Sequence, residues 1–311
     1  MYVICGEALF DFFAQADTGA QANKVEFKAI AGGSPFNVAV GLRRLGIETA
    51  LFAGLSTDYL GQRLKQVLLD EGVSDRYLLE MEAPTTLAMV ALDANGSPAY
   101  SFRGEGCADR QLHSRYLPLL GAEVRGLHVG SFSLVVQPIA DTLLELVKRE
   151  SGRRLISLDP NVRLNPEPNI EVWRQRISEL IPYADVIKVS DEDLELLYPG
   201  QDPQQIARSW LGHRCQLVFL TRGSQGASVF SREHGQRTVL ASTVKVADTV
   251  GAGDTFQAAV IAWLTEHELD SIEGLQQLSA SQLDALLDFA TRAAALTCSK
   301  TGPDLPYRTQ L

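Results

Sequence analysis

The stretch Val246–Leu264, VADTVGAGDTFQAAVIAWL, sets three small residues and an acid, Asp254, directly before a long apolar run. The run FQAAVIAWL is long and apolar enough for a buried helix, which puts Gly251, Ala252 and Gly253 at that helix's N-terminus. The first N–H groups of a helix have no partner inside it, and the helix dipole adds partial positive charge there. Small residues let an anion approach this backbone closely. The turn then makes an anion hole suited to charge developing on a transferred phosphoryl group. Asp254 beside it has two readings. It is a helix cap, a position where aspartate is favoured, or a base that takes a proton from an attacking hydroxyl. The stretch by itself leaves both open.

Working outward, short apolar runs recur along the 311 residues, each followed by a turn and a helix-period segment. YVIC, TALFAGL, GLHVGSF, LISLD, DVIKVS and LVFLT are continuous in apolar residues instead of alternating, as strands buried on both faces are. Helices are predicted between them: SPFNVAVGLRRLG, with Ser34 as N-cap, Pro35 at the first helical position and Gly46 as a stop, then LGQRLKQVLLDEGV, IADTLLELVKRESG and EVWRQRISELIPYA. Alternation of this kind predicts an α/β fold, a mostly parallel central sheet between two layers of helices. Two segments, about 9–31 and 85–104, alternate more, and Asp93-Ala94-Asn95-Gly96 carries a hairpin signal. They read as antiparallel strands, either a small β-lid over a site or an ordinary sheet edge. The polar stretch DSIEGLQQLSASQLDALL reads as a surface insertion, and no linker or repeat divides the chain, so one domain over 1–311 is expected.

With 28 basic and 38 acidic residues the formal charge is −10, which argues against nucleic acid or an anionic membrane as partner. An anionic substrate then needs local donors or a metal. The four cysteines, Cys5, Cys107, Cys215 and Cys298, form no CxxC pair and fit reduced thiols in a cytoplasmic protein. The histidines form no metal pattern, and His128 reads as a packed strand-end residue. MYVICGEALF has no basic segment before its apolar residues and reads as a first strand, not a signal peptide. No apolar run approaches the roughly 20 residues that span a bilayer.

Asp11 follows the first strand, and Gly32-Gly33 leads into the helix that carries Asn37 in its first turn. Fixed donors, acceptors and glycine backbone of this kind suit a neutral polyol; Gly-Gly turns and early helical asparagines are also common local punctuation. Ser190 with Asp193 three residues on resembles a capping box for DLELLY.

The segments GEALFDFF, AGGSPFNVAVGLRRLG, SFRGEGCAD, LDPNVR, KVSDEDLELL, TRGSQG and DTVGAGDTF occur in the order seen in the ribokinase-like sugar kinases, the PfkB family. The resemblance runs from Val3 to about Pro306, and within the family it is greatest to fructokinases. It implies a ribokinase-like three-layer α/β/α sandwich with a β-lid, and transfer of a phosphoryl group from ATP to a sugar hydroxyl. Asp254 matches the family's base, and Gly251, Ala252 and Gly253 its anion hole. Asp11, Gly32, Gly33 and Asn37 match sugar-holding positions, with Arg103 and Arg163 where related arginines lie near substrate or phosphate; a solvated surface arginine is the alternative for both. Thr221, Gly223 and Gly226 match the nucleotide loop, and Lys188 and Ser190 fall on the ATP side. Mg2+ is implied with ATP. Many relatives place it with a glutamate where this chain has Asp193, one methylene shorter, which points to an effect through water. Asp248 and the Val250 carbonyl fall where relatives bind a monovalent cation such as K+. A homodimer through the lid is also expected. Ketodeoxygluconate kinase, ribokinase and nucleoside kinase share the scaffold. A non-catalytic sugar or nucleotide sensor is the reading of a different class, and the intact GAGD speaks against it.

Overall fold

Tyr2–Cys5 forms β1 with every residue buried: Tyr2 and Ile4 enter one hydrophobic core, Val3 and Cys5 another. Successive strand side chains point to opposite faces, so a strand covered on both sides has no need of polar alternation. The computed structural model describes residues 1–14, 23–92 and 98–311. After β1 come β2 (Leu9–Ala14), β3 (Phe27–Gly32), α1 (Ser34–Arg44), β4 (Thr49–Ser56), α2 (Tyr59–Asp70), β5 (Leu78–Met81), β6 (Leu87–Leu92) and β7 (Pro98–Arg103). The middle of the chain supplies β8 (Gly126–Gly130), α3 (Ile139–Glu150), β9 (Leu155–Asp159), α4 (Ile170–Leu180), β10 (Val186–Ser190), α5 (Asp191–Leu197) and α6 (Pro203–Ser209). The last part forms β11 (Leu217–Thr221), β12 (Ala227–Ser231), β13 (Gly235–Val239), α7 (Ala252–Glu266), α8 (Ile272–Gln277) and α9 (Ala280–Cys298).

The main sheet has nine strands in the order β13-β12-β11-β10-β9-β8-β1-β4-β5. From β11 to β5 all neighbours pair in parallel, and β12 and β13 add an antiparallel edge. Buried residues of α1, α2, α7, α8 and α9 fill the core on one face. Those of α3, α4, α5 and α6 fill the other. The three-layer α/β/α arrangement expected from the alternation is therefore present. Helix α7 is buried at every position from Asp254 to Leu264, and Phe256 meets Phe219 of β11 edge-on at 5.8 Å. Burial of a Phe side chain contributes about 1.5–3 kcal/mol, so this contact helps fix the helix on the sheet.

A second sheet has the order β3-β2-β6-β7. Its strands were expected to be antiparallel, and β2–β3 and β6–β7 are, but the central pair β2–β6 is parallel. The reason is geometric: each hairpin leaves the main body by its first strand, and the two outgoing strands pair. The Asp93–Gly96 hairpin signal lies outside the described residues.

Two further expectations are corrected. Ser34 is not the cap of α1; Gly33 holds that position and Ser34 is the first helical residue. The stretch DSIEGLQQLSASQLDALL is not a surface insertion but α8 and the start of α9. Its Leu275, Leu278, Leu283, Leu286 and Leu287 are buried in the core, and its polar residues form the outer stripe.

Candidate active site

The sheet's strand order reverses beside β1, with β4 on one side and β8 on the other. In open α/β sheets ligands bind at such a switch point, outside the carboxyl ends of the strands. The residues singled out above follow those ends: Asp11 after β1, Arg163 after β9, Ser190 at the end of β10, and Thr221 at the end of β11.

Two helix N-termini meet there. Gly251 is the N-cap of α7 in the left-handed conformation, with φ 79°, and Ala252, Gly253 and Asp254 form its first turn. Asp254 makes no side-chain cap. Its Oδ1 accepts from Ser34 Oγ at 2.6 Å and its Oδ2 from Asn37 Nδ2 at 2.8 Å, both from the first turn of α1. The two readings left open by the sequence are thus reduced: the cap is the glycine, and the carboxylate is turned toward another helix. Burial raises the Asp254 pKa above the ordinary aspartate value, while Ser34, Asn37, Lys188 and Arg163 pull it down. The net effect of these opposing influences is a carboxylate more basic than a solvated one.

Asp11 lies on β2, opposite Ile30 of β3. A Cβ at Gly32 would stand 2.6 Å from Asp11 Oδ2, so glycine is what lets this carboxylate lie across the strand. Burial first, then the Asp254 charge, pushes Asp11 up to about 6, against the pull of Arg163. Arg163 is exposed and donates to the Val162 carbonyl at 2.8 Å, with its charge acting on both acids. Arg103 is exposed at the end of β7 and lies near the Phe102 carbonyl.

On the other side of α7, Thr221 ends β11 and Gly223–Gln225 is a single 3-10 turn, closed by Arg222 N–H donating to the Gly226 carbonyl at 2.8 Å. Asp248 bridges two loops: its carboxylate accepts from Val250 N at 3.1 Å and from Gly302 N at 2.9 Å. A cleft of about 240 Å3 borders Ile30 of β3, Asn37 of α1 and Gly302.

The capping box at α5 is present, with Ser190 and Asp193 bonded reciprocally. Asp193 also accepts from Val162 N at 2.8 Å and is buried. Its oxygens therefore serve the fold, and no cluster of three or more His, Cys, Asp or Glu able to hold a metal occurs among the described residues. A divalent ion brought on nucleotide phosphates with its own water fits this site; a bare ion held by protein alone does not. Asp248, an anionic oxygen donor between two backbone loops, fits an alkali cation in chemistry.

Lys188 of β10 is buried and donates to Asp159 Oδ2 at 2.9 Å. Burial works against its charge, but Asp159, Asp193 and Asp254 outweigh it and hold its pKa above the ordinary lysine value. Sequence reasoning missed Ser34 as a partner of Asp254. The signal was its position three residues before Asn37, which places both on one helix face.

The architecture is that of the ribokinase-like kinases. A fructokinase from Xylella fastidiosa, solved with bound ATP, superposes with a TM-score of 0.88 at 26% identity, covering 99% of this chain and 95% of that one. Residues 1–310 match the family described as pfkB family carbohydrate kinase, and the chain belongs to it. It is 37% identical over 286 residues to the fructokinase of Rhizobium leguminosarum bv. trifolii, which covers 92% of this chain and 85% of that protein. It is 32% identical over 316 residues to the probable chloroplastic fructokinase-6 of Arabidopsis thaliana, at 99% and 80% coverage. The chain is thus a carbohydrate kinase, a phosphotransferase with an alcohol acceptor. No helix among the described residues is long and apolar enough to cross a membrane.

Proposed function

We propose that this enzyme is a fructokinase, moving the γ-phosphoryl group of ATP to a hydroxyl of fructose with Asp254 as the base. The observation that carries the reading is the Asp254 carboxylate, buried at the N-terminus of α7 and held by Ser34 and Asn37. A carboxylate is a weak base toward an alcohol, but a loose phosphoryl transfer needs the proton late, so position outweighs basicity. The N–H groups of Gly251 and Gly253 receive the charge developing on the phosphoryl oxygens, and that of Ala252, which donates to the Thr249 carbonyl at 3.2 Å, joins them on turning away from it. Asp11, Gly32, Gly33 and Asn37 hold the sugar, with Arg163 and Arg103 available to oxyanions. Thr221, Gly223, Gly226, Ser190 and Lys188 form the nucleotide side. Mg2+ when bound would neutralise the polyphosphate; Asp193, its oxygens already accepting from Val162 and Ser190, would act on it only through water, and K+ would take Asp248 and the Val250 carbonyl.

In this reading 1–311 is a single kinase domain, and segments 9–31 and 85–104 form a lid that excludes water, so that a sugar hydroxyl is the acceptor. The outer half of β3 is an exposed edge, and pairing of two such edges is the basis for a homodimer. The free cysteines, three of them buried, accord with a cytoplasmic setting.

The test is MgATP turnover on a panel of fructose, ribose, ketodeoxygluconate and nucleosides. A higher kcat/KM for fructose than for the others is expected. Preference for another acceptor reassigns the substrate, and tight sugar binding without turnover overturns the kinase reading for this chain.

A further inference from the structure

The sheet face beneath α7 is apolar at β11 and β12, where Leu217, Phe219, Ala227 and Val229 occupy it. Under the first two turns of α7 it becomes polar. His128 of β8, Ser157 and Asp159 of β9, and Lys188 of β10 meet Asp254 and Gln257 there, all buried. Ser157 Oγ lies 3.0 Å from His128 Nδ1 and accepts from Gln257 Nε2 at 2.6 Å. Lys188 Nζ is bonded to Asp159 at 2.9 Å and stands 2.9 Å from where a Cβ on Gly253 would be. The ammonium therefore lies against the backbone of the residue preceding Asp254.

A buried ion pair contributes little net stability, because desolvation offsets its attraction. Stability alone does not account for a charge at this place. We propose that Lys188 is a positioning residue whose fixed positive charge beneath Gly253 keeps Asp254 ionised, and that Asp159 anchors it there. The proposal rests on the reading of Asp254 as base. It gives Lys188 a role through Asp254 in addition to its place on the nucleotide side.

The charges that face Asp254 come from several elements. Asp11 lies on β2 and Arg163 follows β9, while Lys188 on β10 and Asp159 on β9 lie below. Asp193 of α5 acts on Lys188 and Asp159. His128, the β8 member, is pushed down to about 3 by burial and by Lys188, so it is neutral at working pH. The α1 partners, Ser34 and Asn37, are uncharged. Lys188 is then the one cation below Asp254 among the described residues.

The two halves of the pair predict shifts of opposite sign in the acid limb of the kcat/KM–pH profile for sugar. Lys188→Met removes the cation and moves the limb to higher pH, by about one unit or more. Asp159→Asn keeps an acceptor for Lys188, removes a negative charge, and moves the limb to lower pH. If either single variant fails to fold, the double variant Lys188→Met/Asp159→Asn leaves no unpaired ion. Its limb lies above wild type because Lys188 is among the groups that act most on Asp254 and Asp159 is not. Folded variants with an unmoved limb overturn the proposal, as does a Lys188→Met variant whose only change is a raised KM for ATP. Asp254→Asn serves as the control: retained turnover in that variant sinks the base reading, whereas lost turnover with unmoved limbs sinks only the present inference.

Discussion

The Asn37 amide donates to Asp254 Oδ2 at 2.8 Å although the two residues are 217 positions apart. Neither is explained by its own helix, since Gly251 caps α7 and Gly33 caps α1. Asp254→Asn is expected to lower kcat by about 100- to 10,000-fold, the range of a lost general base. Its melting temperature should stay near wild type, because the Asn37 amide can turn to offer its oxygen and a buried charge is removed. Steady-state kinetics and a thermal melt check both halves. Turnover near wild type would return GAGD to the role of a structural turn.

Ser34→Ala deletes the shorter of the two bonds to the carboxylate. A hydrogen bond to a charged group contributes about 1.5–3 kcal/mol, so the acid limb of the rate profile should rise by about one to two pH units. The sign follows from the direction of the interaction: Ser34 lowers the Asp254 pKa, and its loss leaves burial less opposed. The plateau rate at high pH should change far less than the rate on the acid limb.

Gly251 has φ 79°, and a Cβ there would stand 2.8 Å from Pro303 Cβ. Gly251→Ala should therefore cost about 1–3 kcal/mol in stability through left-handed strain and crowding. The same substitution displaces the N–H groups assigned to the anion hole, so kcat should fall more than sugar affinity. Equal loss in both would count against that assignment.

Glu7 is buried two residues before β2 and accepts from Ser133 Oγ. Burial pushes it up to about 7 from 4.5, against Ser133 and Ser131. Between these values the folded protein holds a proton that the unfolded chain has released. Wild type consequently loses stability as pH rises through this window, and the loss levels off above it. Glu7→Gln keeps an acceptor for Ser133 and removes the titration. Its stability relative to wild type should climb by roughly 2–4 kcal/mol from pH 4.5 to 7.5, measured by urea unfolding. A constant difference across that range would show that Glu7 titrates normally.

Much of the fold was legible because burial leaves its mark locally. YVIC, LISLD and LVFLT are strands covered on both faces, and short continuous apolar runs mark them. The polar stretch at 270–287 misled because α8 and α9 bury only a stripe. Yet Leu283, Leu286 and Leu287 carry helical spacing and were a usable signal. The parallel β2–β6 pair had no local mark, since pairing between two separate hairpins depends on which strands leave the body together.

By itself the sequence determined the buried strands and most of the helices between them, the acidic character, and the small-residue turn that opens α7. Those follow from side-chain periodicity, charge and backbone freedom within a few residues. Only the tertiary structure decided what Asp254 does with its carboxylate. Its partners Ser34 and Asn37 arrive from another helix, and the Lys188–Asp159 pair arrives from two neighbouring strands. Long-range hydrogen bonds and buried charges depend on the order of strands in the sheet, which no short window of sequence contains.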